Sequence, residues 1–212
     1  MTRLPLILAS ASPRRRQILE LLGLPIEVIP SKVDELPLAG EGPCEYAVRA
    51  ARDKALDVAG RHPERLVLGA DTVVDAAGAI LGKPESATEA AAMLRRLSGR
   101  EHMVHTAIAL VAAGTVHGLV DTAAVRFTAL QDDVIEWYVT GGEPMDKAGA
   151  YAVQGRGGLL VEGVTGSPHT VVGLPIHRLP ELFAAHQLDF WALLGPASHR
   201  LPDVGGGTPG PH

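Results

Sequence analysis

The sequence predicts a mixed α/β (α+β) fold, in which a mixed sheet is flanked by helices instead of following a strict βα alternation. Three observations point there. Short aliphatic runs are interleaved with segments of helical spacing, two pairs of runs are joined by two-residue Ala-Gly turns in the manner of hairpins, and only 4% of residues are aromatic, so the core must be mostly aliphatic.

LPLILAS (4–10) is a continuous aliphatic run ending in small residues, the pattern of a buried strand that leads into a loop. Ser12 followed by Pro13 starts a helix to about residue 22, with Ile18, Leu19, Leu21 and Leu22 directed to the core. Arg14, Arg15 and Arg16 crowd its first turn. The helix dipole there favours anions, so three cations ask for an anionic partner. Gly23 ends the helix, and IEVI (26–29) reads as a strand. After a polar, Pro-punctuated stretch, residues 45–59 form a helix whose apolar side is Ala47, Val48, Ala51, Ala55 and Val58.

RLVLGADTVVD (65–75) and AILGKP (79–84) make the first hairpin around Ala77-Gly78, and ATEAAAMLRRL (87–97) is a helix stopped by Ser98-Gly99. Residues 102–127 make a long second hairpin turning at Ala113-Gly114, and 131–139 form a helix. GGEPMDKAGAY is loop-like, and LLVEGV and HTVVGL read as two further strands. A last helix starts at Pro175 and runs toward His186, with Pro180 inside it kinking it or delaying its start.

The chain has 212 residues with 46% hydrophobic and 20% charged, which suits one domain over residues 1–190. The 21 residues after Trp191 hold 5 Gly and 4 Pro, so 191–212 is expected to be a disordered tail. A net charge of −5 argues against a nucleic-acid surface, which needs clustered cations, and the few aromatics leave no stacking platform. One cysteine, Cys44, excludes an internal disulfide framework. The apolar start is too brief for a membrane span or a signal core, so a cytoplasmic protein with no membrane partner is expected.

The familiar nucleotide motifs fail. GAILGKP (78–84) is one residue short of P-loop spacing and carries Pro where Ser or Thr belongs; GRGGLL (155–160) breaks the dinucleotide fingerprint. His102 and His105, three apart in a strand, point to opposite faces and do not share a metal. What remains is LASASPRRR (8–16), where Ser10, Ser12, a helix N-terminus and guanidiniums make either a polyphosphate site or a capped, solvated cationic face. Asp71, at the end of an apolar strand, suits a divalent cation or a proton from water, or a turn. Lys54 and Lys83 are phosphate clamps or solvated charges, and Glu35 in KVDE is a second metal ligand or a surface carboxylate.

Taken together, LILASASPRRRQILELLG, VDE, AVRAARDKA, LGADTVV, LGKP, MLRRLSGREHMVHTAIAL, EPMDKAGAYAVQGRGGLLVEGVTGS and VVGLP resemble the Maf-like nucleoside triphosphate pyrophosphatases, in the family's order over about residues 4–186. The resemblance implies an inosine-triphosphatase-like fold, a curved mixed sheet with a deep cleft between two lobes, and a homodimer. It implies hydrolysis of a nucleoside triphosphate between the α and β phosphates. By matching motif, Ser10, Arg14 and Arg15 hold the phosphates, and Glu35, Lys54, Asp71 and Lys83 line the reacting end. Asp71 matches the proton acceptor, and Glu35 with Asp71 the pair for a divalent cation, Mg²⁺ or Mn²⁺. Asp71-Thr72 and the Tyr151 to Gly155 segment resemble the dTTP/UTP branch, with Arg14, Thr72 and Gln154 at the positions linked to that specificity. Two other readings go with the family: a nucleotide-binding regulator of septum formation, and a house-cleaning enzyme for damaged purine nucleotides. Pro180 and the Gly/Pro tail depart from the family pattern without touching the matched site.

Overall fold

The computed structural model describes residues 4–194. In chain order, β1 is Leu6–Leu8, α1 Pro13–Leu21, β2 Ile26–Val28, α2 Pro43–Ala59, β3 Val67–Ala76, β4 Ala79–Leu81 and α3 Ala87–Leu97. The second half contains β5 Glu101–Ala112, β6 Thr115–Phe127, α4 Asp132–Thr140, β7 Val161–Thr165, α5 Pro168–Val172, α6 Leu179–Ala184 and α7 Phe190–Leu194. The sheet order is β2-β1-β3-β5-β6-β7, with β4 paired to β3. β1 is parallel to β2 and β3, and the other pairs are antiparallel, so the expected mixed sheet is present.

Both Ala-Gly turns form as read: Ala77 and Gly78 have φ of 55° and 85°, Ala113 and Gly114 of 46° and 78°. Positive φ at both central residues is the twist-compatible hairpin turn, strained for alanine and easy for glycine. One sheet face is covered by α2, whose Ala47, Ala51, Ala55 and Val58 pack on Val67, Val73, Ala107 and Ala109. The opposite face packs Leu8, Leu68, Ile108 and Leu110 against Leu19 of α1 and Leu182 and Phe183 of α6. Beyond these, α3 and α4 close a third apolar cluster around Val104, Val125 and Phe127.

Four expectations are corrected. Leu21, expected to face the core, is 88% exposed, while Arg15 of the same helix joins Leu19 as the buried residues of α1. HTVVGL is not a strand: Pro168 starts the short helix α5, Thr170 is buried and Gly173 ends it at φ 111°. Tertiary packing here overrides the β preference of two valines. The helix expected from Pro175 does not start there: a 3₁₀ turn occupies Ile176–Arg178 and α6 begins at Leu179 with Pro180 in its first turn. This is the delayed start, one of the two outcomes expected of Pro180, and α7 follows it. Residues 191–194, assigned to the tail, belong to α7, whose Phe190 ring sits 5.2 Å from that of Phe183. The rest of the predicted tail lies outside the described residues. Among the described residues no helix is long and apolar enough to cross a membrane.

Candidate functional site

A cleft of about 850 Å³ opens where the edge of β3 is left uncovered. β1 pairs with β3 only at Val67 and Leu68, and β4 joins at Val74, so the intervening residues on that edge have no strand neighbour. Asp71 and Thr72 lie in this gap. The N-terminus of α1, the 31–37 segment, the Gly82-Lys83 turn and the 146–154 segment complete the walls. All nine residues singled out from the sequence line this one cleft: Ser10, Arg14, Arg15, Glu35, Lys54, Asp71, Thr72, Lys83 and Gln154.

Gly69 decides how closely α2 approaches. A Cβ there would lie 2.3 Å from the carbonyl oxygen of Ala51 and 2.9 Å from Ala55 Cβ, so only glycine admits the contact. Lys54 is three residues beyond Ala51 and Asp71 two beyond Gly69, and the close approach brings their side chains together. Lys54 Nζ donates to Asp71 Oδ1 at 2.7 Å and lies 2.8 Å from Glu35 Oε2. Burial raises the Asp71 carboxyl above its ordinary range, against the pull of Lys54 and Arg15. At Glu35 burial also pushes upward, but the Lys54 hydrogen bond and the charges of Lys54, Lys83 and Arg15 prevail and hold it below the usual carboxylate range. One ammonium thus sits between two carboxylates in unlike environments, the arrangement that assigns them different roles.

Arg15 is placed differently from its neighbours. Its Nε donates to the carbonyl of Gly173 at 2.8 Å, Nη1 to Ser10 Oγ at 3.0 Å and to the carbonyl of Ala70 at 2.9 Å, and Nη2 to Thr72 Oγ1 at 2.9 Å. Four of five guanidinium protons are therefore committed inside the protein. The side chain staples α1 to the bare edge of β3 and to the turn after α5. Desolvation lowers its pKa, with Asp71 and Glu35 opposing that shift. The sequence pattern reads Arg15 as a phosphate ligand; the geometry makes it a buried organiser, whereas Arg14 is only half-buried and Lys83 is exposed on the cleft rim. Ser12 caps α1 by accepting from the amide of Arg15 at 3.5 Å.

Sequence reasoning did not find three participants. Arg49 of α2 grips Glu41 through Nε and Nη2 and donates to the carbonyl of Leu36 at 2.9 Å, tying down the segment that carries Glu35. Asp146 faces Arg14 across the cleft, 3.9 Å from its guanidinium. Tyr46 lines the acidic end, its hydroxyl pushed up to about 12 by burial and then by Asp71 and Glu35. Asp146 meets Arg14 from a distant segment and Arg49 reaches back from α2 to the loop before it, contacts that no local pattern announces. His102 and His105 do diverge: Nε2 of His102 is 2.8 Å from the Tyr151 hydroxyl, while His105 meets Thr122 and Asp75.

Among the described residues no group of three His, Cys, Asp or Glu side chains forms a complete cage for a metal. The donor set still suits Mg²⁺ or Mn²⁺. Asp71 Oδ2 and Glu35 Oε1 lie outside the Lys54 hydrogen bonds, and such hard cations are held by one or two carboxylates together with substrate phosphates.

The model of the Maf-like protein family matches residues 5–186. The chain is 53% identical over 171 residues to a dTTP/UTP pyrophosphatase of Myxococcus xanthus, covering 81% of this chain and 87% of that protein. It is 49% identical to the dTTP/UTP pyrophosphatase of Syntrophus aciditrophicus (83% and 87% covered), and 48% to that of Moorella thermoacetica (88% and 97%). Among solved structures, a HAM1 protein from Coxiella burnetii aligns with a TM-score of 0.38 at 21% identity, over 58% of this chain and 73% of that one.

Proposed function

The chain belongs to the Maf-like family, and on that premise we propose that it hydrolyses dTTP and UTP to the nucleoside monophosphate and pyrophosphate. The observation that carries the reading is the Lys54 ammonium bridging Asp71 and Glu35 at the foot of a cleft whose mouth holds Arg14, Lys83 and the N-terminus of α1. Anionic phosphates belong at that mouth, where backbone amides, the helix dipole and the cations favour negative charge. The acidic foot is what a purely binding protein has no use for.

In this reading Asp71 accepts a proton from the water whose oxygen bonds to the α phosphorus, and pyrophosphate leaves as the bond between the α phosphorus and the bridging oxygen breaks. A carboxylate with a raised pKa is a stronger base than a free aspartate. Lys54 fixes its orientation and offsets charge on the transferring phosphoryl. Glu35 and Asp71 would hold a divalent cation, Mg²⁺ or Mn²⁺, which would supply further neutralisation of charge on the phosphates. Ser10 and Arg14 shape the phosphate end, Arg15 ties Ser10 to Thr72, and Thr72 together with Gln154, exposed in the cleft, offers hydrogen-bonding groups to the pyrimidine edge. The reading includes a homodimeric, cytoplasmic protein.

The deciding experiment measures pyrophosphate and orthophosphate release from a full nucleotide panel with Mg²⁺ or Mn²⁺. Pyrophosphate from dTTP and UTP is expected. No turnover on any nucleotide overturns the enzyme reading in favour of a binding regulator, and a purine preference moves it to a house-cleaning activity.

A further inference from the structure

Thr72 stands in the cleft wall, half-buried, and its hydroxyl belongs to a chain of hydrogen bonds that leads away from the cleft. Thr72 Oγ1 accepts from Arg15 Nη2 at 2.9 Å and lies 2.9 Å from Thr106 Oγ1. Thr106, in the middle of β5 and fully buried, donates to the backbone carbonyl of Thr170 at 2.7 Å.

The direction of each proton follows from the ends. A guanidinium only donates and a carbonyl only accepts, so the Thr106 proton is committed to Thr170. The Thr106 oxygen is then the acceptor in its contact with Thr72, and the Thr72 proton is spent on it. A hydroxyl has one proton and two lone pairs. Thr72 has used the proton and one lone pair within the protein, and it meets a ligand with the remaining lone pair alone.

We propose that Thr106 is a positioning residue for base selection: it withdraws the Thr72 proton from the cleft, so that Thr72 tests a pyrimidine for a hydrogen-bond donor at ring position 3. Uracil and thymine carry N–H there, whereas cytosine presents a lone pair that would face the Thr72 lone pair. The inference rests on the pyrimidine nucleotide reading above and adds a physical basis for preferring uridine and thymidine nucleotides to cytidine ones. A hydroxyl free to rotate would accept either base, so the fixed polarity and not the presence of a threonine carries the discrimination.

The test compares UTP and CTP as substrates of the full chain, and the binding of their α,β-methylene analogues, for the unmodified protein, Thr106→Val and Thr106→Ser. Thr106→Val keeps the shape and removes the acceptor, freeing the Thr72 proton. The expected result is a fall of about five- to tenfold in the UTP to CTP ratio of kcat/KM, carried by KM, since one hydrogen bond is at stake. Thr106→Ser restores the ratio. Should Thr106→Val fail to fold, Thr106→Cys, whose thiol is a weak acceptor, is expected to shift the ratio the same way. An unchanged ratio in a folded variant, or equal shifts in Val and Ser variants, overturns the proposal. If the unmodified protein turns over neither nucleotide, the enzyme reading fails separately, and the analogue affinities alone decide the role of Thr106.

Discussion

Lys54 Nζ and Asp71 Oδ1 are 2.7 Å apart, with side chains only 6% and 8% exposed, and this pair is the pivot of the cleft. Asn at position 71 keeps an oxygen for Lys54 to donate to but cannot take a proton. Asp71→Asn is therefore expected to lower kcat by about 10²- to 10⁴-fold while nucleotide binding survives. Steady-state turnover beside equilibrium binding of a non-hydrolysable dTTP analogue checks this; loss of binding in step with turnover would mean that Asp71 only shapes the site.

The same pair sets an acid limb in the pH dependence. Burial holds the Asp71 carboxyl above its ordinary range, partly offset by Lys54 and Arg15. In the proposed reaction the base works when ionised, so at subsaturating cation kcat/KM is expected to rise with pH through an ionisation above that of a free aspartate. Saturating Mg²⁺ on Asp71 is expected to move that limb down. Lys54→Met withdraws the offsetting charge and should move the limb to higher pH. A pH–rate profile of the two proteins reads the displacement, and a limb that stays put or moves down argues against Asp71 as the base.

Arg49 reaches the site indirectly. It forks onto Glu41 at 2.6 and 2.7 Å and also donates to the carbonyl of Leu36, the residue after Glu35. Lysine cannot reproduce a planar two-pronged contact. Arg49→Lys is expected to loosen the Glu35 segment and to raise, by about three- to tenfold, the Mg²⁺ concentration that gives half-maximal activity, the loss of roughly one charge-assisted hydrogen bond. Metal titrations of both proteins at fixed dTTP test it, and an unchanged midpoint removes Arg49 from any account of the site.

How much of this was legible in the sequence depends on the range of the interactions. Ser12-Pro13, Ala77-Gly78 and Ala113-Gly114 are read correctly because capping and turn chemistry are written in adjacent residues. The cleft residues were found by resemblance and not by local chemistry: Asp71, Lys54 and Glu35 look ordinary until α2 settles on Gly69. HTVVGL was misread because its helix is fixed by Pro168, Gly173 and the burial of Thr170. The three arginines of α1 look equivalent in sequence, yet one is buried and bonded to Ser10, Thr72 and two carbonyls, one faces the cleft, and Arg16 pairs with Glu20 outside. Helical phase separates them, and the phase has meaning only against the sheet.

His102 supplies a stability signature independent of catalysis. Its ring is 3% exposed and edge-on to Phe127 and Tyr151, Nε2 meets the Tyr151 hydroxyl, and Nδ1 has no hydrogen-bond partner. Burial lowers its pKa from 6.5 to about 4. Above pH 6.5 the imidazole is neutral in folded and unfolded chains alike, and its contribution is complete. As pH falls from 6.5 to about 4, the unfolded chain takes up a proton that the folded one refuses, so stability drops by about 1.4 kcal/mol per pH unit from this group. Below that window both states are protonated and the loss stops growing. His102→Gln keeps a polar group for Tyr151 and does not titrate. Urea unfolding from pH 7.5 to 4.5 should show a stability difference between variant and parent that is constant at the top and shifts steadily in the variant's favour below pH 6.5. A difference that stays flat across the whole range would mean that His102 is protonated as easily in the folded protein as out of it.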